Sequence, residues 1–174
     1  MCSPGEAGLP ETRIRQARDE DFEFIGRLIA DVYSRFNLDF VTEAERAPFL
    51  GPFFFADSAD ESHQEKLRKT IWSPTLLVAE DDGKIVGVLR GRPERLASLF
   101  VRPDHHRRGI GRSLVEHFEA LSARRGVRVI RLAATLYAVP FYLALGYKKS
   151  TGVRQGWSFE GRGLMIQPMR KVLQ

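Results

Sequence analysis

Leu99-Phe100-Val101-Arg102-Pro103-Asp104-His105-His106-Arg107-Arg108-Gly109-Ile110-Gly111-Arg112-Ser113-Leu114 carries the reading of this chain. Its first residues end a nearly continuous apolar run, Leu96 to Val101, of strand length, as expected of a central strand buried on both faces. Beyond the turn at Pro103, Leu114, Val115, Phe118 and Leu121 recur at helical spacing and predict a helix that opens near Gly111 and stops at Gly126. A helix N-terminus offers unpaired N–H groups at the positive end of its dipole, which suits a phosphate. Glycines at 109 and 111 remove Cβ atoms that would hold such a group away, and arginines on either side add charge. The same two glycines are also compatible with nothing more than a turn.

Outward from this segment the organisation is legible. Thr12 to Ala17 reads as a first strand, and Asp19 as the N-cap of a helix with Glu20 and Asp21 in its first turn. Phe22, Ile25, Leu28, Ile29, Val32, Tyr33 and Phe36 form its apolar stripe. Residues 37–73 are broken by Pro48, Gly51 and Pro52, and Asp57 to Trp72 is expected to form a second or third helix. Thr75 to Glu80 and Ile85 to Arg90 flank Asp81-Asp82-Gly83-Lys84 as a hairpin. Arg128 to Ala133 is a further strand and Val139 to Leu145 a short helix; Tyr147 and Leu164 to Pro168 lie in closing strands. The order β-α-(α)-β-β-β-α-β-α-β-β implies an α/β (α+β) fold, a mixed sheet flanked by helices.

At 174 residues, with 43% apolar and 28% charged positions, the chain has the length and make-up of one globular domain, expected over 12–174 after a flexible tail at 1–11. No apolar run reaches the length of a membrane span and no secretion signal opens the chain, so a cytoplasmic address is expected. The single cysteine, Cys2, cannot form an internal disulfide, and His63, His105, His106 and His117 have no metal-ligand spacing, so no metal is expected. His117 falls on the solvent face of its helix. Between Arg90 and Arg131 eleven arginines stand against four acidic residues. That field suits nucleic acid, a phosphate-bearing small molecule or an acidic partner. The arginines cluster around a phosphate loop and no recognition helix or RNP motif accompanies them, so nucleic acid is not expected. A Walker loop is absent, and Leu114 and Ala133-Ala134-Thr135 stand where a Rossmann fingerprint requires a small residue and an acid.

His106-Arg107-Arg108-Gly109-Ile110-Gly111 resembles the Arg/Gln-x-x-Gly-x-Gly/Ala signature of the GNAT superfamily of acetyl-coenzyme A-dependent N-acetyltransferases, with His106 departing from the usual Arg or Gln. Phe141-Tyr142-Leu143-Ala144-Leu145-Gly146-Tyr147 resembles a second element of that family, at the family's spacing, and the likeness extends over about residues 12–170. It implies a mostly antiparallel central sheet and acetyl-CoA as cosubstrate. Main-chain groups of Leu99, Phe100 and Val101 would meet the pantetheine arm, and Arg107, Arg108, Gly109, Ile110, Gly111, Arg112 and Ser113 the pyrophosphate. Thr135 stands where many members place an asparagine that touches the cofactor.

The implied activity is direct transfer of an acetyl group to a small-molecule or peptide amine, with Tyr142 as general acid on the departing thiolate. Tyr142 can instead serve only as packing. Members that carry a carboxylate base in the central strand place it near Arg95 and Ala97, and ribosomal-protein acetyltransferases place a glutamate where this chain has Ile130, so a water relay or a residue such as Glu43 would have to serve. A binding or sensor module of the same fold without turnover is therefore the alternative. Dimers are common in the family, and a homodimer is among the states it implies.

Overall fold

The computed structural model describes residues 12–157, 159 and 163–174. The tail expected over residues 1–11 lies outside the described residues. In chain order the described elements are β1 (Arg13–Gln16), α1 (Phe22–Asn37), α2 (Ala47–Leu50), α3 (Glu61–Ile71), β2 (Thr75–Asp81), β3 (Lys84–Arg92) and β4 (Arg95–Val101), then α4 (Ile110–Arg124), β5 (Val129–Thr135), α5 (Val139–Ala144), β6 (Lys148–Lys149), β7 (Arg154–Gln155) and β8 (Met165–Val172). The expected order is present, with three closing strands instead of two and Tyr147 just ahead of β6. Among the described residues no helix is long and apolar enough to cross a membrane.

The strands form one sheet in the order β1-β2-β3-β4-β5-β8-β6, with β7 also paired to β8. Every pairing is antiparallel except β4 with β5. The β2–β3 hairpin closes through Asp82 and Gly83, both at positive φ (48° and 70°), which matches the twist of its strands.

Alternation along β2 sorts side chains into two cores. Leu76 and Val78 pack with α1 and α3 on one face, while Leu77 and Ala79 pack with α4 on the other. The stripe predicted for α1 is buried from Phe22 through Tyr33, and Phe36 emerges at the helix end half-buried. On α4, His117 is exposed while Leu114, Val115 and Phe118 are buried, as the periodicity requires.

The entry to α1 differs from the expected cap. Asp19 is exposed, and a 3-10 turn over Asp19–Asp21 precedes the helix, whose first residue is Phe22. Asp21 does the anchoring because it can reach backwards: its carboxylate accepts the Arg18 N–H at 2.7 Å and both Arg15 Nη groups, at 2.6 and 3.0 Å. Arg15 also donates Nε to Glu80 at 2.8 Å, so β1, β2 and α1 are tied at one buried point. Burial alone would raise the Asp21 carboxyl, but the bonds from Arg15 and Arg18 outweigh it and hold the group below the usual carboxylate range.

A depressed pKa gives stability that is present above the ordinary carboxylate range and lost as pH falls through the folded value. Asp21→Asn is expected to cost about 3 kcal/mol at neutral pH, because Arg15 is left without its buried partner. Urea denaturation at pH 7 and pH 3 should find that cost shrinking at the lower pH.

Candidate active site

Strands β4 and β5 run parallel but pair only at Arg95 and Arg131, where the Arg131 N–H donates to the Glu94 carbonyl at 3.0 Å. Each strand is held elsewhere, β4 by β3 as far as Val101 and β5 by β8 as far as Thr135. The two therefore diverge from their single contact. A cleft of about 1240 Å³ opens between them, above the roughly 300–1,000 Å³ of common small-molecule sites. This overturns the expectation that β4 is buried on both faces. Its Arg95 and Ala97 are exposed, and Ser98, Leu99 and Val101 are half-buried, because the neighbour that would cover them has turned away.

A bulge re-aims β4 beside the cleft. Gly91 pairs with Leu96 and Arg90 with Ser98, so Ala97 is the extra residue. The insertion switches face parity: Leu96, Leu99 and Val101 belong to the α4 side, and Phe100 to the α1 side. Ser98 lines the cleft, and its buried hydroxyl has no hydrogen-bond partner among the described residues.

At the open end lies the glycine loop. Arg107 and Gly109 both take left-handed conformations, φ 62° and 80°, and left-handed residues in such turns are what build the backbone N–H nests that bind anions. From Arg107 to Arg112 the backbone N–H groups donate to no described residue; the first bond into α4 is Ser113 N–H to the Gly109 carbonyl, 2.9 Å. The helix starts at Ile110, one residue ahead of expectation, because Gly109 at positive φ serves as its cap. A Cβ on Gly111 would stand 3.3 Å from the Phe141 ring. The backbone is thus closely approached there, and a larger residue would press on the Phe141 ring.

The loop is braced from behind. His106 places Nε2 at 2.8 Å from the Val101 carbonyl, tying the loop to the end of β4, and its ring packs against Phe36 at 5.1 Å between centroids. Histidine thus takes up a tie at the position where arginine or glutamine was the familiar residue. His105 sits between Asp81, 3.3 Å, and Asp104, 2.8 Å, joining the loop to the end of β2.

The cleft brings together Leu99, Phe100, Val101, Arg107, Gly109, Ile110, Gly111, Arg112, Thr135 and Tyr142. Two of the residues expected there do not line it. Arg108 leans outward, 4.0 Å from Asp81, and Ser113 is exposed with its N–H already used inside the helix. Tyr142, on α5, is 5% exposed. Its ring meets Phe141 and Tyr147 edge-on at 5.0 and 5.6 Å, and its hydroxyl bonds to no described residue. Burial pushes the phenol far above its ordinary value, so it stays protonated through the working pH range.

No described Asp or Glu lines the cleft. Ala97 is the bulged residue, Arg95 is exposed, Ile130 is fully buried in the core, and Glu43 lies in a 3-10 turn away from the cleft. Among the described residues no three His, Cys, Asp or Glu side chains are grouped to hold a metal ion. Sequence reasoning missed Arg90, which lines the cleft. The signal was available: Val88 faces the α1 core, so Arg90, two residues on, carries a guanidinium to the same inward face.

Known proteins match this arrangement. Residues 53–173 match the family model described as acetyltransferase (GNAT) domain. A GCN5-related N-acetyltransferase of Rhodopseudomonas palustris superposes with a TM-score of 0.74 at 21% identity, covering 97% of this chain and all of its own. The PaiA N-acetyltransferase of Thermoplasma acidophilum, solved in complex with coenzyme A, gives 0.63 at 16% identity over 94% of this chain and 99% of its own. YncA of Salmonella typhimurium, solved with its cofactor acetyl-CoA, gives 0.59 at 19% identity over 94% and 95%. With the splayed strands, the bare amides of the glycine loop and a family model spanning more than half of its length, this chain belongs to the GNAT acetyltransferase family.

Proposed function

We propose that the protein binds acetyl-CoA in the cleft between β4 and β5 and transfers the acetyl group directly to an amine, with Tyr142 as the general acid. The observation that carries this is the run of unpaired N–H groups from Arg107 to Arg112 at the mouth of a cleft that leads past the unpaired edge of β4 to Tyr142. Acetyl-CoA supplies the acetyl thioester, and two relatives of the same fold were solved with coenzyme A or acetyl-CoA.

The chain's own groups divide the work. The loop amides and the arginines at 107 and 112 hold the pyrophosphate. The edge of β4 over Leu99, Phe100 and Val101 offers main-chain groups to the pantetheine amides, as one strand does to another. Thr135, at the end of β5, faces the arm from the other wall. Tyr142, kept neutral by burial, gives its proton to the sulfur as the bond to the acetyl carbon breaks.

The attacking amine must arrive neutral, and no described carboxylate lines the cleft to take its proton. Water therefore serves, and the acceptor's own ionisation controls the rate. kcat/KM is expected to rise tenfold per pH unit until the acceptor amine's own pKa, without a break in the carboxylate or histidine range. A profile that levels off near pH 6 to 7 with an amine of high pKa would mean that a protein base acts.

A further inference from the structure

Away from the glycine loop the cleft has a one-sided charge. Lys69, Arg90, Arg95 and Arg154 line it, and among the described residues no Asp or Glu does. Lys69 has a partner in Glu65, which lies outside the cleft; Arg95 and Arg154 are exposed and pair with no described carboxylate. These cations are separated from the pyrophosphate loop along β4: Arg90 stands opposite Ser98, and the loop begins beyond Val101.

Arg90 is unlike the others because it is mostly withdrawn from solvent. Its Nε donates to the Ile71 carbonyl at 2.9 Å and Nη2 to the Thr70 carbonyl, both at the end of α3, and its guanidinium lies 5.9 Å from the Phe159 ring centroid. Nη1 donates to no described residue. Burial lowers its pKa to about 10, which leaves it charged at neutral pH. Two carbonyls and an aromatic ring do not neutralise a withdrawn guanidinium, and such a charge is costly unless an anion meets it. The α3 carbonyls fix the plane of the group, and a fixed planar fork is suited to a carboxylate.

We propose that the acceptor is an amine that also carries a carboxylate, which seats against Arg90 and turns the amine towards the acetyl carbon near Ala97 and Ser98. This rests on the acetyl-transfer reading above. A polycationic amine would meet like charge from the same four side chains and is disfavoured.

The test compares matched acceptors on the full chain: glutamate, glutamate diamide and spermidine, with N-acetyl product measured by mass spectrometry. Glutamate is expected to exceed the diamide and spermidine at least tenfold in kcat/KM expressed per neutral amine, since the three amines differ in pKa. Arg90→Gln should bring the glutamate-to-diamide ratio close to one through KM. Arg90→Lys keeps the charge and a donor to α3 but loses the fork, and should lower the ratio at least threefold, so the prediction survives if the glutamine variant does not fold. Diamide or spermidine used as well as glutamate would overturn the proposal and leave acetyl transfer standing. If none of the three is acetylated, calorimetric binding to the acetyl-CoA-loaded protein separates the two ideas: binding of glutamate but not the diamide keeps the carboxylate site, binding of neither overturns it, and transfer itself is judged on the wider panel of amines.

Discussion

Gly111→Glu is expected to weaken acetyl-CoA binding by roughly three orders of magnitude while the fold stays intact. The new carboxylate would stand among the loop amides that should receive the pyrophosphate, and two like charges about 4 Å apart near a protein surface repel by about 4 kcal/mol. Folding is affected little because the two local effects oppose each other. The added Cβ lies 3.3 Å from the Phe141 ring, so that ring must give by a few tenths of an ångström. A glutamate in the first turn of α4 is favoured by the helix dipole, by about 0.3–1 kcal/mol. The melting temperature should move by no more than about 4 °C. In wild type, acetyl-CoA at a hundredfold excess over its dissociation constant should stabilise the fold by about 2.7 kcal/mol, and the variant should lose that increment. Affinity within a factor of two of wild type by calorimetry would put the pyrophosphate somewhere else.

Tyr142→Phe separates a proton donor from a packing residue. The ring contacts with Phe141 and Tyr147 survive the change, and the hydroxyl that is lost bonds to no described residue, so stability and acetyl-CoA affinity should hold. General acid catalysis contributes typically about 10²–10⁴-fold, and a thiolate is a tolerable leaving group, so a fall of about 10² is expected in the chemical step. Single-turnover kinetics must be used, since slow product release would conceal the change in kcat. Because burial raises the phenol's pKa, wild-type rates should not decline on the alkaline side from loss of this proton. An unchanged single-turnover rate in the variant would leave Tyr142 a packing side chain and assign the thiolate's proton to water.

Regular periodicity made most of the scaffold legible. The α1 and α4 stripes and the β2–β3 hairpin are local patterns, and each lies where its spacing predicted. The backbone of the glycine loop was legible for a similar reason, since glycine spacing encodes backbone shape. What depends on strands parting company was not. An apolar run such as Leu96 to Val101 looks the same in a closed sheet and in one that splays, and only the single Arg95–Arg131 pairing reveals the difference. The Asp19 cap failed for a comparable reason. Asp21 wins the role through Arg15, whose partnership is set by the β1–β2 pairing and not by helix sequence. Arg90 went unnoticed in a crowd of eleven arginines because net charge does not record which way a side chain faces.

If this cleft moves an acetyl group, coenzyme A thiol and N-acetyl product must appear in balance. Protein, acetyl-CoA and a panel of primary amines are incubated together, free coenzyme A is titrated as thiol, and N-acetyl product is quantified by mass spectrometry. Equal amounts of both are expected, dependent on amine and abolished by Gly111→Glu. Acetyl-CoA bound by wild type with no amine-dependent release of thiol across the panel would contradict it, and would make the protein a holder of acetyl-CoA rather than a catalyst.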